Sequence, residues 1–94
     1  MSKYEIIYII DAALGEEEIQ SAVAKFTSFM EANATVESID EWGKKKLAYL
    51  INKKAEGYYV CAIVVAAPEF PRLLERQFRI DENILKHLIV KVEQ

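Results

Sequence analysis

Cysteine, histidine and tryptophan each occur once in this chain of 94 residues, with two prolines and three glycines. The single cysteine, Cys61, excludes an intramolecular disulfide and argues against a closed zinc site, because each needs several cysteine or histidine side chains. Its apolar neighbours favour a small buried hydrophobe. The three glycines stand apart from one another, so no glycine-rich loop is available to cradle a phosphate.

The only histidine, His87, lies between Lys86 and Leu88 in a strand-like stretch. A catalytic histidine needs a nucleophile or an orienting partner, and no serine or cysteine nucleophile motif accompanies it. We therefore expect no enzyme, no cofactor and no metal site. The favoured role of His87 is structural or at the surface, and the alternative is an RNA contact.

Long apolar runs and an excess of basic residues are also missing. No apolar stretch approaches the ~18–20 residues that span a bilayer, and no leader pattern opens the chain, so a cytoplasmic protein is expected. The net charge is −3 and the isoelectric point is about 5.2, whereas nucleic-acid-binding domains usually have values above 9. Any RNA contact must therefore use a local basic cluster.

The hydrophobic periodicity predicts one domain over residues 1–94 with six segments. Strands are predicted at residues 4–10, 36–52, 58–67 and 84–92, and helices at 16–32 and 68–80. The order βαββαβ predicts an α+β, ferredoxin-like fold, a four-stranded antiparallel sheet with two helices on one face. Gly43 predicts a bulge in the second strand, and Gly57 is the strongest signal of the turn predicted at 52–57.

Each predicted helix has an apolar stripe that faces the core. The first stripe contains Ile19, Ala22, Val23, Phe26 and Met30, and the second contains Phe70, Leu73, Leu74 and Phe78. Acidic residues 16–18 suit the positive end of the first helix dipole, and Asn33 suits its end. Arg72, Arg76 and Arg79 lie on one flank of the second helix, which favours a solvated face, with RNA backbone contact as the alternative.

The sheet face away from the helices should be polar if it meets only water. Instead the first and third strands are apolar on both faces, and Ile7, Ile9 and Tyr59 occupy the second face. A contact with another molecule is one explanation. The other is that Trp42 or Tyr49, from the long second strand, folds over this face.

The lysines are concentrated in one segment. Residues 44–54 contain five of them and no acid: Lys44, Lys45, Lys46, Lys53 and Lys54. Such a hairpin can neutralise phosphates. Solvated lysines that protect an edge strand from aggregation are an equally ordinary explanation.

The segment 43–51, Gly-Lys-Lys-Lys-Leu-Ala-Tyr-Leu-Ile, resembles the signature of the bacterial small-subunit ribosomal protein six family. The pairs Tyr4-Glu5 and Glu41-Trp42, the triplet at 57–59 and the stretch 78–84 are similar to further family motifs. The resemblance covers nearly the whole chain in order. The chain departs from the family in having only lysines at 44–46, where an arginine is common, so bidentate recognition is lost there.

The resemblance implies a structural component of the small ribosomal subunit that binds the central domain of its RNA together with ribosomal protein eighteen. With the lysine pattern, it predicts backbone recognition at nine positions: Lys3, Lys44, Lys45, Lys46, Lys53, Lys54, Lys86, His87 and Lys91. Partner contacts are predicted at Trp42, Tyr49, Tyr59, Ile7 and Ile9. A basic partner explains how an acidic domain reaches RNA.

The same fold also occurs with two other functions. The alternative is a ferredoxin-like regulatory domain that homodimerises through its sheet and binds a small metabolite. A small phosphatase such as an acylphosphatase needs a phosphate loop with an arginine near the first strand, and residues 11–15 offer none.

Overall fold

The computed structural model describes residues 1–92, which form four strands and two helices. In chain order these are β1 (Ser2–Asp11), α1 (Glu16–Asn33), β2 (Thr35–Ile51), β3 (Lys54–Ala66), α2 (Phe70–Arg79) and β4 (Ile84–Val92). The predicted order and fold class are confirmed. The helix predicted from residue 68 begins at Phe70, because the preceding residues form a turn in which the Phe70 amide donates to the Ala67 carbonyl.

The sheet has the strand order β2-β3-β1-β4, and each neighbouring pair is antiparallel. The central strands β1 and β3 therefore have neighbours on both sides, whereas β2 and β4 are edges. Alternate residues of the central strands are buried beneath the helices: Tyr4, Ile6, Tyr8, Ile10, Val60, Ala62, Val64 and Ala66. We call this side the helix face and the other side the open face.

Three rings lie at the centre of the core. The ring centroids of Tyr8, Phe26 and Phe78 are 4.9–5.3 Å apart, so strand and helices pack through tilted aromatic contacts. The predicted stripe of α1 is buried at every position. In α2 the prediction is wrong at Leu73, which is 44 % exposed, because this short helix buries only positions four apart, 70, 74 and 78.

The two glycines of the hairpin region have different roles. Gly43 has φ +85° at a register shift between β2 and β3, so the predicted bulge is confirmed. The turn signal assigned to Gly57 is wrong, because Gly57 lies within β3. A Cβ at this position would stand 2.2 Å from the Ile9 Cγ2 atom, so the absence of a side chain permits the close approach of β1.

Candidate nucleic-acid and partner interface

The hairpin formed by β2 and β3 contains five of the predicted RNA-binding lysines. Lys46 pairs with Glu56 and Ile51 with Lys54, so residues 47–50 of β2 oppose only Ala55 of β3. The extra length lets β2 leave the regular ladder and fold over the open face. Tyr49 consequently reaches Lys86 on β4, the far edge of the sheet, where the Lys86 ammonium donates to the Tyr49 hydroxyl at 2.8 Å.

A two-residue turn closes this hairpin. Asn52 has φ 50° and Lys53 has φ 65°, the left-handed pair that a tight hairpin turn requires and that Asn-Gly supplies most easily. Asparagine tolerates this conformation, whereas lysine carries a steric cost there. The Lys53 side chain is exposed, so core packing does not account for a lysine at this position.

Beside the turn, three lysines line one shallow cleft. Lys44, Lys53 and Lys54 face the β1–α1 turn across it, with Asp11 and Glu56 as the acids of the lining. The Asp11 carboxylate accepts from the Ala13 amide at 2.9 Å and pairs with Lys54 at 3.4 Å. Within residues 1–92, Lys44 and Lys53 form no ion pair. Two ammonium groups at the cleft are therefore free to bind an anion.

The acids of β2 are already engaged within the fold. Glu37 pairs with Lys3 at 3.0 Å, and the Asp40 carboxylate accepts from the Trp42 indole. The Glu41 carboxylate accepts from the Tyr58 hydroxyl at 2.8 Å, a hydrogen bond that raises the pKa of Tyr58. The acidic half of β2 is thus neutralised or hydrogen-bonded by its neighbours, whereas the basic half is not.

Lys46 is exposed on β2 and lies opposite Glu56 of β3. The other predicted RNA-binding residues fall in two further places. Lys3, Lys45 and Lys86 belong to the open face: Lys45 stands 5.3 Å above the Trp42 ring, and the hydrogen bond with Tyr49 raises the pKa of Lys86. His87 and Lys91 point toward the helix face of β4. His87 stacks on Phe78 at 5.2 Å, a packing contact. The nine residues therefore do not form one continuous patch.

Four of the five predicted partner residues meet on the open face, close to the hairpin, and Ile7 lies farther along the same face. Trp42 stacks on Tyr59 with centroids 6.4 Å apart and planes 17° apart. Ile9, Tyr49 and Tyr59 line one small apolar cavity beneath the returning strand, and Ile9 is only 6 % exposed. Side chains of β2 therefore cover this half of the open face, as the intramolecular explanation required.

The other half of the open face has no cover within residues 1–92. Ile7 lies here with half-buried Ile63 and Val65, and Leu88 and Val90 of β4 are 53 % and 44 % exposed. Leu88 and Val90 are not among the predicted partner residues, although the apolar residues at 88, 90 and 92 share one face of β4 and are visible in the sequence. Cys61 is half-buried here rather than fully buried, and burial raises its thiol pKa.

Two other kinds of site have no support in the described part of the chain. No three potential metal ligands cluster among residues 1–92. Neither helix in that range is long and apolar enough to cross a membrane.

Comparison with known families identifies the family of this chain. The profile described as Ribosomal protein S6 matches residues 3–91. The chain belongs to the ribosomal protein S6 family. The small ribosomal subunit protein bS6 of Clostridium perfringens is 45 % identical over 95 residues, and that of Alkaliphilus oremlandii is 39 % identical over 94 residues. Each comparison covers both chains completely. The family is one of ribosomal structural proteins rather than enzymes.

Solved structures show the same fold within and outside the S6 family. The 30S ribosomal protein S6 of Thermotoga maritima superimposes with a TM-score of 0.92 at 24 % identity, over 97 % of this chain and 87 % of that chain. The C-terminal domain of the MgtC protein of Mycobacterium tuberculosis gives a TM-score of 0.59 at 11 % identity, over 100 % and 90 % of the chains. At these identities the likeness concerns the fold alone.

Proposed function

We propose that this protein binds the central domain of small-subunit ribosomal RNA as a pair with ribosomal protein eighteen and catalyses no reaction. Membership in the ribosomal protein S6 family already makes it a component of the small subunit of the cytoplasmic ribosome. The RNA region, the partner and the contributing residues are the proposed part.

One observation carries the RNA half of the proposal: the acids of β2 have partners within the fold, whereas two lysines of the hairpin have no ion-pair partner in residues 1–92. Glu37, Asp40 and Glu41 each have a partner in the fold. Lys44 and Lys53 have none in residues 1–92 and meet at one cleft. Phosphate groups are the anions that lysines of this kind neutralise as point charges.

The partner half rests on the uncovered part of the open face. Ile7, Leu88 and Val90 are apolar, adjacent across the β1–β4 ladder and accessible. Water against this surface is unfavourable, and a second protein would remove it. Trp42 and Tyr59 lie at the border of this surface with the hairpin, so a single partner is able to contact both halves.

The test measures affinity for a central-domain RNA fragment, with and without ribosomal protein eighteen, across a salt series. We expect tight binding only with the partner present. We expect the double variant Lys44→Ala/Lys53→Ala to lower the log–log salt slope by roughly 1.5, close to two phosphate contacts. The matched control is Lys25→Ala, because Lys25 lies on α1 and is tied to Asp81.

Three results would count against the proposal: no binding when the partner is present, binding that salt does not weaken, or equal effects of the hairpin variant and Lys25→Ala. A homodimer whose melting temperature rises with an added small metabolite, and which ignores RNA, would support the regulatory alternative.

A further inference from the structure

The outward surface of α2 carries a stripe of arginines that the hairpin cleft does not use. Arg72, Arg76 and Arg79 are exposed, and the helix buries Phe70, Leu74 and Phe78 on its opposite side. Residues spaced four and three apart share one helix face. At 1.5 Å per residue the stripe is about 10 Å long, so it is able to contact more than one anionic group.

The fold itself does not account for all of these arginines. Arg79 pairs with Glu75 at 2.5 Å, and Arg76 and Arg79 suit the last turn of the helix, where cations meet the negative end of the dipole. Arg72 lies in the first turn, where a cation faces the positive end. Within residues 1–92 neither Arg72 nor Arg76 has an ion-pair partner.

The other helix has the opposite charge. The first turn of α1 contains three glutamates, and its one lysine, Lys25, is tied to Asp81. Of the two helices, α2 therefore carries the positive charge that has no ion-pair partner within residues 1–92. Phe78 of α2 stacks on His87 of β4, so α2 lies toward the edge of the sheet opposite to the lysine-bearing β2.

We propose that the outward face of α2 binds the phosphodiester backbone of RNA through Arg72, Arg76 and Arg79, as a second contact region besides the hairpin. The proposal rests on the proposed RNA-binding function. The planar guanidinium group stays charged and donates hydrogen bonds to two phosphate oxygens at once. An ammonium group contacts phosphate as a point charge and lacks this bidentate geometry. Arginine on a solvent-facing stripe suits an extended polyanion that lies along the helix.

The test uses the full chain with ribosomal protein eighteen and the central-domain RNA fragment. The variant Arg72→Gln/Arg76→Gln should weaken RNA binding about tenfold or more at moderate salt and lower the salt slope by about 1.5, close to one per phosphate contact. Arg72→Lys/Arg76→Lys should keep the slope and recover only part of the affinity. Lys25→Gln is the control, and thermal unfolding verifies that each variant is folded.

The outcomes separate this inference from the proposed function. If Lys44→Ala/Lys53→Ala weakens binding and the arginine variant does not, the stripe proposal fails and the RNA function stands. If neither variant affects binding, both proposals fail. If the arginine variant instead weakens association with ribosomal protein eighteen in the absence of RNA, the stripe binds protein and the inference is overturned.

Discussion

Both faces of the sheet are apolar over much of the central strands and yet differ in how they are covered. On the helix face two helices bury Ile6, Tyr8 and Ile10 completely. On the open face a returning strand covers Ile9, whereas Ile7 and Leu88 remain accessible. An apolar strand residue beneath the helices or the returning strand is therefore buried within the fold, whereas one elsewhere on the open face stays accessible to the proposed partner.

The sharpest test of this comparison uses adjacent residues of β1. Ile6→Ala should lower the free energy of unfolding by about 3–4 kcal/mol, because the side chain is fully buried and a cavity remains. Ile7→Ala should lower it by about 1 kcal/mol in the free protein and should weaken partner binding. Urea unfolding of both variants provides the measurement. Equal losses of stability would show that the open face is as much a core as the helix face.

A second test concerns the covered half of the open face. Gly57→Ala should destabilise the protein by about 2 kcal/mol, because the new methyl group would overlap the Ile9 Cγ2 atom. In the double variant with Ile9→Ala that atom is gone, so the combined loss should be smaller than the sum of the single losses. Additive losses would mean that this contact does not determine the cost.

On the helix face, one buried polar atom has no hydrogen-bond partner among the described residues. The Tyr8 hydroxyl is buried without a hydrogen-bond partner in the described residues, and burial holds its pKa well above the ordinary value. Tyr8→Phe should therefore stabilise the protein by about 1 kcal/mol at neutral pH. Tyr59→Phe, on the open face, is the control and should change stability by less than about 0.5 kcal/mol.

The same residue predicts a pH dependence. Above about pH 10 the unfolded chain releases the Tyr8 proton while the folded protein retains it, so stability falls as pH rises. The variant Tyr8→Phe should therefore lose less stability than the unsubstituted protein as the pH rises. If the stability of the variant and of the unsubstituted protein fell in parallel between pH 9 and 11, the alkaline loss of stability would be due to other groups.

The smallest expected effect separates folding from binding in the hairpin. Lys53→Gly should stabilise the protein by about 0.5 kcal/mol, because glycine adopts the left-handed conformation without steric cost. Lys53→Ala removes the same charge but keeps the steric cost of the left-handed conformation. Both variants should weaken RNA binding, and only the glycine variant should raise the urea midpoint. Unchanged RNA affinity in both would remove Lys53 from the interface.

Periodicity predicted the element order and the α1 stripe, because burial on one side of a helix leaves a repeat in the sequence. It failed where two segments distant in sequence meet. The turn prediction at Gly57 is wrong because the packing of this residue against Ile9 of β1 leaves no local signal in the sequence. The cleft at Lys44 and Lys53 could not be predicted from local sequence either, because the β1–α1 turn that completes it comes from another part of the chain. Leu73 was misplaced because an apolar residue beside a stripe need not be buried.

The outer edge of β4, which pairs with no other strand of the described residues, also affects the protein before it joins a ribosome. Leu88 and Val90 border unpaired backbone groups, a combination that templates intermolecular strand pairing. If the proposed partner covers this region, we expect copies made in excess of it to aggregate or be degraded and copies bound to it to be protected. Cellular abundance would then follow the supply of the partner rather than the rate of synthesis.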